Sequence, residues 1–365
     1  MTAPPTPRQP APLELPGVLS AEEIAQTARY LSGCQESDGA IPWFPGGHVD
    51  AWDHVECAMA LSATGHLTAA ERAYDWLAAT QSPDGSWPAK IRDGTVINPL
   101  REANHAAYPA VGVWQHLLVT GDTAFARRLW PTVRGGIEFA LGLRTRRGEI
   151  QWSRSPDGTA GDHALLTACA SIHHALWCAS ALARHLDQPQ QEWESAAARL
   201  GHLVADHESV FADRGRFSMD WYYPILGGAV RDAQAKERVA DRWDTFVVPN
   251  LGTRCVSDQP WITGAETCEL VMTLAAMGES DRGTSLLADM QHLRDPDDGA
   301  YWTGYQFAED VRWPVERSTW TAAAVILAVD ALTETTAGAT AFTRVPCQDG
   351  AFSVPEACGC GDIVG

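Results

Sequence analysis

Along the chain, apolar and polar residues follow two helical patterns in turn. In the first, apolar residues recur every three to four positions on one face and charges occupy the other. Phe125, Leu129, Val133, Ile137 and Leu141 form one such stripe; Trp193, Ala196, Ala197, Leu200 and Val204 form another; Leu286, Leu287, Met290 and Leu293 form a third. A one-sided stripe marks a helix lying on a core. In the second pattern the charged face disappears. Ala164 to Ala183 contains no Asp, Glu, Lys or Arg, and His105–Val119 and Trp320–Leu332 read similarly. A helix that is apolar all round is buried all round. Outer, one-sided segments fall near 21–33, 68–81, 122–144, 190–208, 232–246 and 282–293. Inner segments start near 51, 104, 162, 221, 262 and 319, the fourth being the weakest because Pro224 and Gly227-Gly228 interrupt it. Six pairs of this kind predict an all-α fold, an (α/α)6 double-layered barrel or toroid over residues 20–335, with few strand-like segments. Residues 1–19 are Pro-rich and predict a disordered arm. Residues 336–365 lose the periodicity and predict an irregular tail folding back on the body.

Composition narrows the partners. With 46 Asp and Glu against 27 Lys and Arg, the 365-residue chain carries a formal charge of −19. That disfavours nucleic acid and anionic membrane surfaces, both of which demand clustered cations. No apolar run reaches the 18 or so residues of a bilayer span, and the first ten residues show no secretory pattern, so a cytoplasmic chain is expected. Nine Cys, an odd number without framework spacing, fit a reducing compartment. Cys358-Gly-Cys360 lacks the two-residue spacing of zinc pairs, and no metal or cofactor is expected. The 15 Trp outnumber the 9 Phe and 7 Tyr, which suggests a cleft with stacking platforms.

The connectors repeat too. Tyr30-Leu31-x3-Gln35-x3-Gly39 leads to Trp43; Trp76-Leu77-x3-Gln81-x3-Gly85-x-Trp87 is tighter; Gln291, Asp298-Gly299 and Trp302 form a stretched copy. The second of these resembles the QW motif of squalene/hopene cyclases and their terpenoid-cyclase and prenyltransferase relatives, without the basic-Gly start, since Arg72 is followed by Ala73. In that family the motif is structural, so the resemblance implies an α/α toroid and no particular chemistry. Asp50-Ala-Trp-Asp53 and Ser318-Thr-Trp-Thr-Ala-Ala323 resemble stretches of glucoamylase-like, six-hairpin glycosidases. That resemblance implies a catalytic carboxylate in the loop before the last inner helix, at Glu309 or Glu316.

In a toroid, far-apart residues converge where the inner helices begin, at N-termini with free N–H groups and partial positive charge. The loops there are rich in acids and aromatics. The first holds Trp43, Asp50, Trp52, Asp53, His54 and Glu56, with Asp50 or Asp53 also readable as a helix cap. The second holds Asn104 and His105, with Asn104 readable as a cap, and the third Asp162, also a candidate cap. The fourth has Asp220, Trp221 and Tyr222. The fifth has Asp258, Trp261, Glu266 and Glu269, the glutamates at i, i+3. The sixth has Trp302, Tyr305, Glu309, Trp313 and Glu316, the last readable as an ion-pair partner of Arg312 or Arg317. Asp295-Pro-Asp297-Asp298 matches the Asp-x-Asp-Asp pattern of class II terpenoid cyclases, but its place after an outer helix marks a turn. P-loop, Gly-x-Ser-x-Gly and His-Glu-x-x-His patterns are absent.

Two carboxylates, polar groups for hydroxyls and aromatic platforms are what a sugar site requires. The sequence therefore predicts a carbohydrate-active enzyme, a glycoside hydrolase taking a small-molecule or glycoconjugate substrate. Asp53 would be base or nucleophile and Glu266 general acid, with Glu316 competing for either role; the other residues named at the loops would line the site. The alternatives are an isoprenoid-binding terpenoid cyclase or prenyltransferase-like enzyme, and a non-catalytic sugar- or protein-binding toroid. The oligomeric state is not readable.

Overall fold

The computed structural model describes residues 12–346; Cys347, Cys358, Cys360 and the rest of the predicted tail lie outside them. In chain order, α1 (Ala21–Gly33) is followed by the hairpin of α2 (Ala51–Ala63) and α3 (Leu67–Thr80). Strands β1 (Lys90–Arg92), β2 (Thr95–Asn98) and β3 (Arg101–Glu102) lead to α4 (Ala103–Ala107), α5 (Pro109–Thr120) and α6 (Thr123–Leu141). Then come β4 (Ser153–Arg154), α7 (Leu166–His185), α8 (Gln191–Asp206), α9 (Ser218–Leu226) and α10 (Asp232–Phe246). Strands β5 (Val247–Val248), β6 (Gly252–Arg254) and β7 (Trp261–Thr263) precede α11 (Gly264–Ala276) and α12 (Ser280–Asp289). Strands β8 (Gly304–Gln306) and β9 (Val311–Arg312) precede α13 (Thr319–Thr333) and the short α14 (Thr340–Thr343).

The inner helices touch in closed cyclic order, α2–α5–α7–α9–α11–α13 and back to α2, and an outer helix packs behind each. Their sequences explain the two layers. Every residue of α2 is buried, as are Thr319 to Ala331 of α13, whereas α1, α6, α8 and α12 each bury one face. Local capping sets the starts. Ser20 and Glu23 form a reciprocal capping box on α1, Asp50 caps α2, and Ser318 caps α13. Helix α7 is long and apolar enough to cross a membrane, but 94% of its apolar window lies inside the protein; its composition is that of a core helix.

The repeated Gln-Gly-Trp connectors stitch neighbouring hairpins together. Gln81 Nε2 donates to Gly85 O and Thr132 O, both at 2.9 Å, tying the end of α3 to α6, and Trp87 Nε1 donates to Leu77 O at 3.1 Å. Gln35 Nε2 does the same to Gly39 O and Ala69 O at 3.0 and 2.9 Å. In the third copy Thr27 Oγ1 donates to Gly299 O at 2.8 Å, joining α1 to the connector after α12. Gly39 and Gly85 adopt φ of +103° and +89°. A Cβ would stand 2.4 Å from Arg72 O at the first and 2.1 Å from Gly135 O at the second, so only glycine fits. This role is wholly structural, and it accounts for the QW-like spacing without a cyclase. The Asp295–Asp298 stretch is a turn: Asp295 and Asp298 both hold Arg317, at 3.1 and 2.7 Å.

Two boundaries differ from the periodicity reading. Residues 13–19 are not an arm: Leu13, Leu15 and Leu19 are buried and the segment closes with a Leu15–Leu19 bridge, because those leucines supply the anchoring that the prolines lack. Residues 336–343 form short helical turns fixed by Asp330, which accepts from Thr336 N at 2.8 Å and Thr336 Oγ1 at 2.6 Å. They pack near Val119 and Met277, at the C-terminal ends of α5 and α11. A third feature, the antiparallel sheet β5-β6-β7-β8-β9, has strands of two or three residues, too short for an alternation to register. It covers the approach to α11 and α13.

The stitching predicts a stability order. Gln81→Ala should lower the unfolding free energy by about 2 kcal/mol through two lost half-buried hydrogen bonds. Gly85→Ala should cost at least as much through strain. Chemical-denaturation midpoints measure both; wild-type midpoints for either variant would refute the stitching role.

Candidate active site

A cavity of about 270 Å³ opens where α2, α4, α7, α9 and α13 begin. Asp50 lies on its wall as the N-cap of α2, Oδ1 accepting from Asp53 N at 2.9 Å. Asp53, one turn in, lines the same wall. Both are buried, and their carboxyls are hydrogen-bonded to each other. For Asp53, burial and then the Asp50 charge hold the carboxyl well above the usual range. For Asp50, burial is outweighed by the hydrogen bond with Asp53 and by His105, which hold it below its usual value. His48 assists, its Nε2 3.8 Å from Asp50 Oδ2. Two like charges in one dry site cannot both ionise freely, so the pair releases its last proton late, and Asp53 is the member pushed upward.

Behind this pair the acidity continues. Glu56 is fully buried and accepts from Trp52 Nε1 (3.1 Å), Tyr108 Oη (2.9 Å) and Trp320 Nε1 (2.7 Å). Burial pushes it up to about 7, against the pull of those donors. Glu269 accepts from Tyr222 Oη, and burial followed by the Glu56 charge raises it well above normal. Glu266, on the first turn of α11, is 6% exposed, and its Oε2 has no hydrogen-bond partner among the described residues. Its charge, after burial, raises the adjacent Cys255 thiol. Glu269 acts electrostatically on Asp53 and Glu266 on Glu269, so the two predicted catalytic acids belong to one acidic cluster. Arg254, on β6, stands over the Phe307 ring at 5.1 Å.

The cavity's other walls are mixed. Trp52 stacks flat on Tyr108, centroids 4.2 Å apart. Asn104 and His105 line the second wall, with His105 Nε2 3.3 Å from Glu102. Asp220 accepts from Thr167 N at 3.2 Å and from Thr167 Oγ1, bridging the starts of α7 and α9. Burial raises its carboxyl. Phe217, Met219 and Leu165 add an apolar side, and Arg214 a cation. Sequence reasoning passed over Trp320, Trp152, Glu102 and Arg214 as site residues. Trp320 stood inside the quoted Ser318–Ala323 stretch, so its signal was present. Trp152 reaches the cavity through the β3–β4 pairing of Glu102 with Ser153, which no local pattern announces.

Glu316 and the tryptophans of the last loop form the rim. Glu316 Oε1 accepts from Trp43 Nε1 at 2.6 Å; it pairs with neither Arg312 nor Arg317, and Arg317 holds the Asp295 and Asp298 carboxylates instead. Trp43 stacks on His48 (5.9 Å, 12°) and leans on Trp320 at 5.6 Å, which lines the cavity. Trp261 donates from Nε1 to Trp313 O at 2.8 Å. Trp302 sits under the guanidinium groups of Arg312 and Arg317.

Several predicted lining residues are placed elsewhere. His54 is wholly buried between Ile41 N and Ala73 O, at 3.1 and 2.8 Å. Accepting the backbone N–H fixes Nδ1 as acceptor and leaves the proton on Nε2; burial pushes its pKa down to about 4, so it is a neutral structural clamp. Glu56, Tyr222 and Glu269 lie behind the wall and are fully buried. Trp221 turns outward and stacks on Phe246 of α10, donating to Arg238 O; the amphipathic demand of the outer layer captured it. Asp162 is 96% exposed and caps nothing, since α7 starts four residues later. Asp258 is exposed and held by Arg216 at 2.6 Å. Glu309 is exposed, and Tyr305 donates to Asp310 at 2.6 Å on the solvent side of its hairpin. Asn104 sits inside α4 rather than capping it.

No protein-family model matches the chain. A curated relative, the "MMP endo-(1,4)-3-O-methyl-alpha-D-mannosidase" of Mycolicibacterium hassiacum, is 52% identical over 331 residues, 91% of this chain and 92% of the relative. Among solved structures, a glycosidase in complex with glucose superposes over 86% of this chain and 99% of its own, at a TM-score of 0.68 and 17% identity. A D-mannose isomerase covers 86% and 97%, at 0.67 and 10% identity. These two structures share the toroid and, at such identities, nothing more is read from them. The squalene cyclase side of the resemblance finds no support in these matches. With half of its residues shared across nine-tenths of both chains, the protein belongs to the same family of glycoside hydrolases as that endo-mannosidase.

Proposed function

We propose that the chain is an endo-acting α-mannosidase that cleaves (1→4) bonds inside a 3-O-methylated mannose chain, with Asp53 and Glu266 as its principal catalytic carboxyls. The observation that carries this is the extensive identity to an enzyme named for that activity, combined with the acidic cavity at the inner-helix starts. The cavity suits a partly methylated sugar. Asp50, Asp53, Asn104, His105 and Asp220 offer polar atoms for hydroxyls, while Phe217, Met219 and Leu165 face the same space. A 3-O-methyl group has no donor to satisfy, and an apolar wall receives it without stranding a polar atom. A site that must stabilise carbocations needs aromatic faces and few nucleophiles; this one is crowded with carboxyls.

In this reading the enzyme divides the proton work among neighbouring acids. The Asp50–Asp53 pair holds one proton beside one charge, and Glu266, which stands behind the cavity lining rather than in it, lies at the start of α11, with α13 between it and α2. One proton-bearing carboxyl can protonate the leaving oxygen while a charged one activates water or attacks the anomeric carbon. The raised Asp53 favours it as the proton carrier, the reverse of the role its sequence position suggested. Glu316 is engaged by Trp43 and acts as a rim support.

The test is digestion of a 3-O-methylated α-(1→4)-mannan followed by product sizing. Internal cleavage yields intermediate fragments first; immediate release of monosaccharide alone would contradict the endo reading. Asp53→Asn and Glu266→Gln should each lower kcat by about 10²-fold or more with unchanged denaturation midpoints. Full turnover in both would overturn the assignment. Glu316→Gln, which keeps an acceptor for Trp43, should lose less than about tenfold; a loss as deep as Asp53→Asn would move Glu316 into the catalytic set. Removing the Asp50 charge lowers the Asp53 pKa, so in Asp50→Asn the limb of the pH–rate profile set by Asp53 should move to lower pH, whichever role Asp53 plays. A shift to higher pH, or none, would refute the shared proton.

A further inference from the structure

The large apolar side chains that stand exposed among the described residues are not scattered. Val96 and Ile97 are 48% and 47% exposed, Val311 42%, Trp313 52% and Val315 81%. All five lie on two hairpins: β1–β2, and β8–β9 with its 313–315 extension. Isolated exposed apolar residues need no explanation, but a set confined to two hairpins that both approach one residue, His48, marks a contact surface.

Both hairpins join the cavity through one residue pair. Strand β1 is bridged to the first loop by Val49 and Ile91, N···O 2.7 and 2.9 Å, and Lys90 and Arg92 act electrostatically on His48. Glu316, directly after Val315, acts on the same His48 and holds Trp43. Trp43 stacks on His48 and touches Trp320, which lines the cavity beside Asp53. A continuous path therefore runs from the acids, over Trp320, Trp43 and His48, to a rim flanked by exposed apolar side chains. The 313–315 ridge is rigidly presented. Trp313 N donates to Gly304 O at 3.0 Å, Trp313 O accepts from Trp261, Glu316 N donates to Pro314 O at 2.8 Å, and the two indoles meet edge-on at 5.0 Å. A surface held in place before binding loses little entropy on binding.

An ordinary glycan offers hydroxyls to such a rim and would be met by polar side chains and one flat ring. Three valines and an isoleucine beside an indole suit a chain whose edges carry methyl ethers. We propose that the two hairpins flanking His48 form an outer binding strip for O-methylated sugar units of a chain whose scissile bond lies in the cavity. The inference rests on the endo-mannosidase reading and adds a substrate-length and methylation requirement to it. The strip reads the methyl groups of distant units, and thereby favours long methylated chains over short or unmethylated ones.

The test compares wild type with Val96→Ser/Ile97→Ser and Trp313→Ala/Val315→Ser on a long 3-O-methylated α-(1→4)-mannan, a methylated tetramer, and an unmethylated chain of the long polymer's length. The ratio of kcat/KM on the long methylated chain to that on the tetramer should fall by about tenfold in either variant, chiefly through KM, with a smaller fall on the unmethylated chain. An unchanged ratio overturns the strip, as does an equal fall with and without methyl groups. Sedimentation separates the other occupant: if wild type is a dimer that these variants dissociate while the ratio holds, the strip is an interface between copies and the proposal fails. A wild type inert on every mannan overturns the strip together with the functional reading, whereas an active wild type with an unmoved ratio overturns the strip alone.

Discussion

Too many carboxyls share too little water at the open end of this toroid. Asp50, Asp53, Glu56, Glu266 and Glu269 are all buried, within a few turns of helix starts. Charges crowded into a dry space raise one another, and the cheapest arrangement leaves some of them protonated. Donors decide which ones stay charged. Asp50 is bonded by the α2 backbone and faced by histidines, while Asp53 has the charged Asp50 as its neighbour. The proton that results is a consequence of folding, and in the mechanism proposed above it is the one that acid–base cleavage of the glycosidic bond consumes and returns.

The rest of the fold keeps that crowd together. Helix α2 and its cap bring three of these acids and α11 the other two, and the two sets meet because the ring closes through α13 between α11 and α2. The Gln-Gly connectors fix how outer hairpins abut, at glycines where no side chain fits. Glu56 then ties packing to the site: by accepting from Trp52 and Trp320 it fixes two rings of the cavity wall. The apolar inner ring and the polar mouth are thus one construction, with tryptophans carrying the link.

How much of this was legible follows from what kind of signal each part leaves. The two helix classes write themselves into the chain as periodicity, so the pairs and the toroid were readable, and helix starts at 51 and 319 coincide with α2 and α13. The acids at those starts were readable as a set because the architecture names the mouth. Which way a side chain turns was not. Trp221 and Asp220 are adjacent, yet one stacks on Phe246 and the other lines the cavity, a choice made by helix phase relative to two layers. His54 looked like a site residue and is a backbone clamp, because its partners lie 13 and 19 positions away. The five short strands around the fifth and sixth loops leave no alternation to see, and they decide which loop residues face solvent.

The shared proton is the point on which the account turns, and difference infrared spectroscopy of the carboxyl stretch reads it directly. At neutral pH the wild-type protein should show a band of protonated carboxylic acid that weakens in Asp53→Asn and ionises at lower pH in Asp50→Asn. A spectrum in which every carboxyl is already ionised at neutral pH would contradict it.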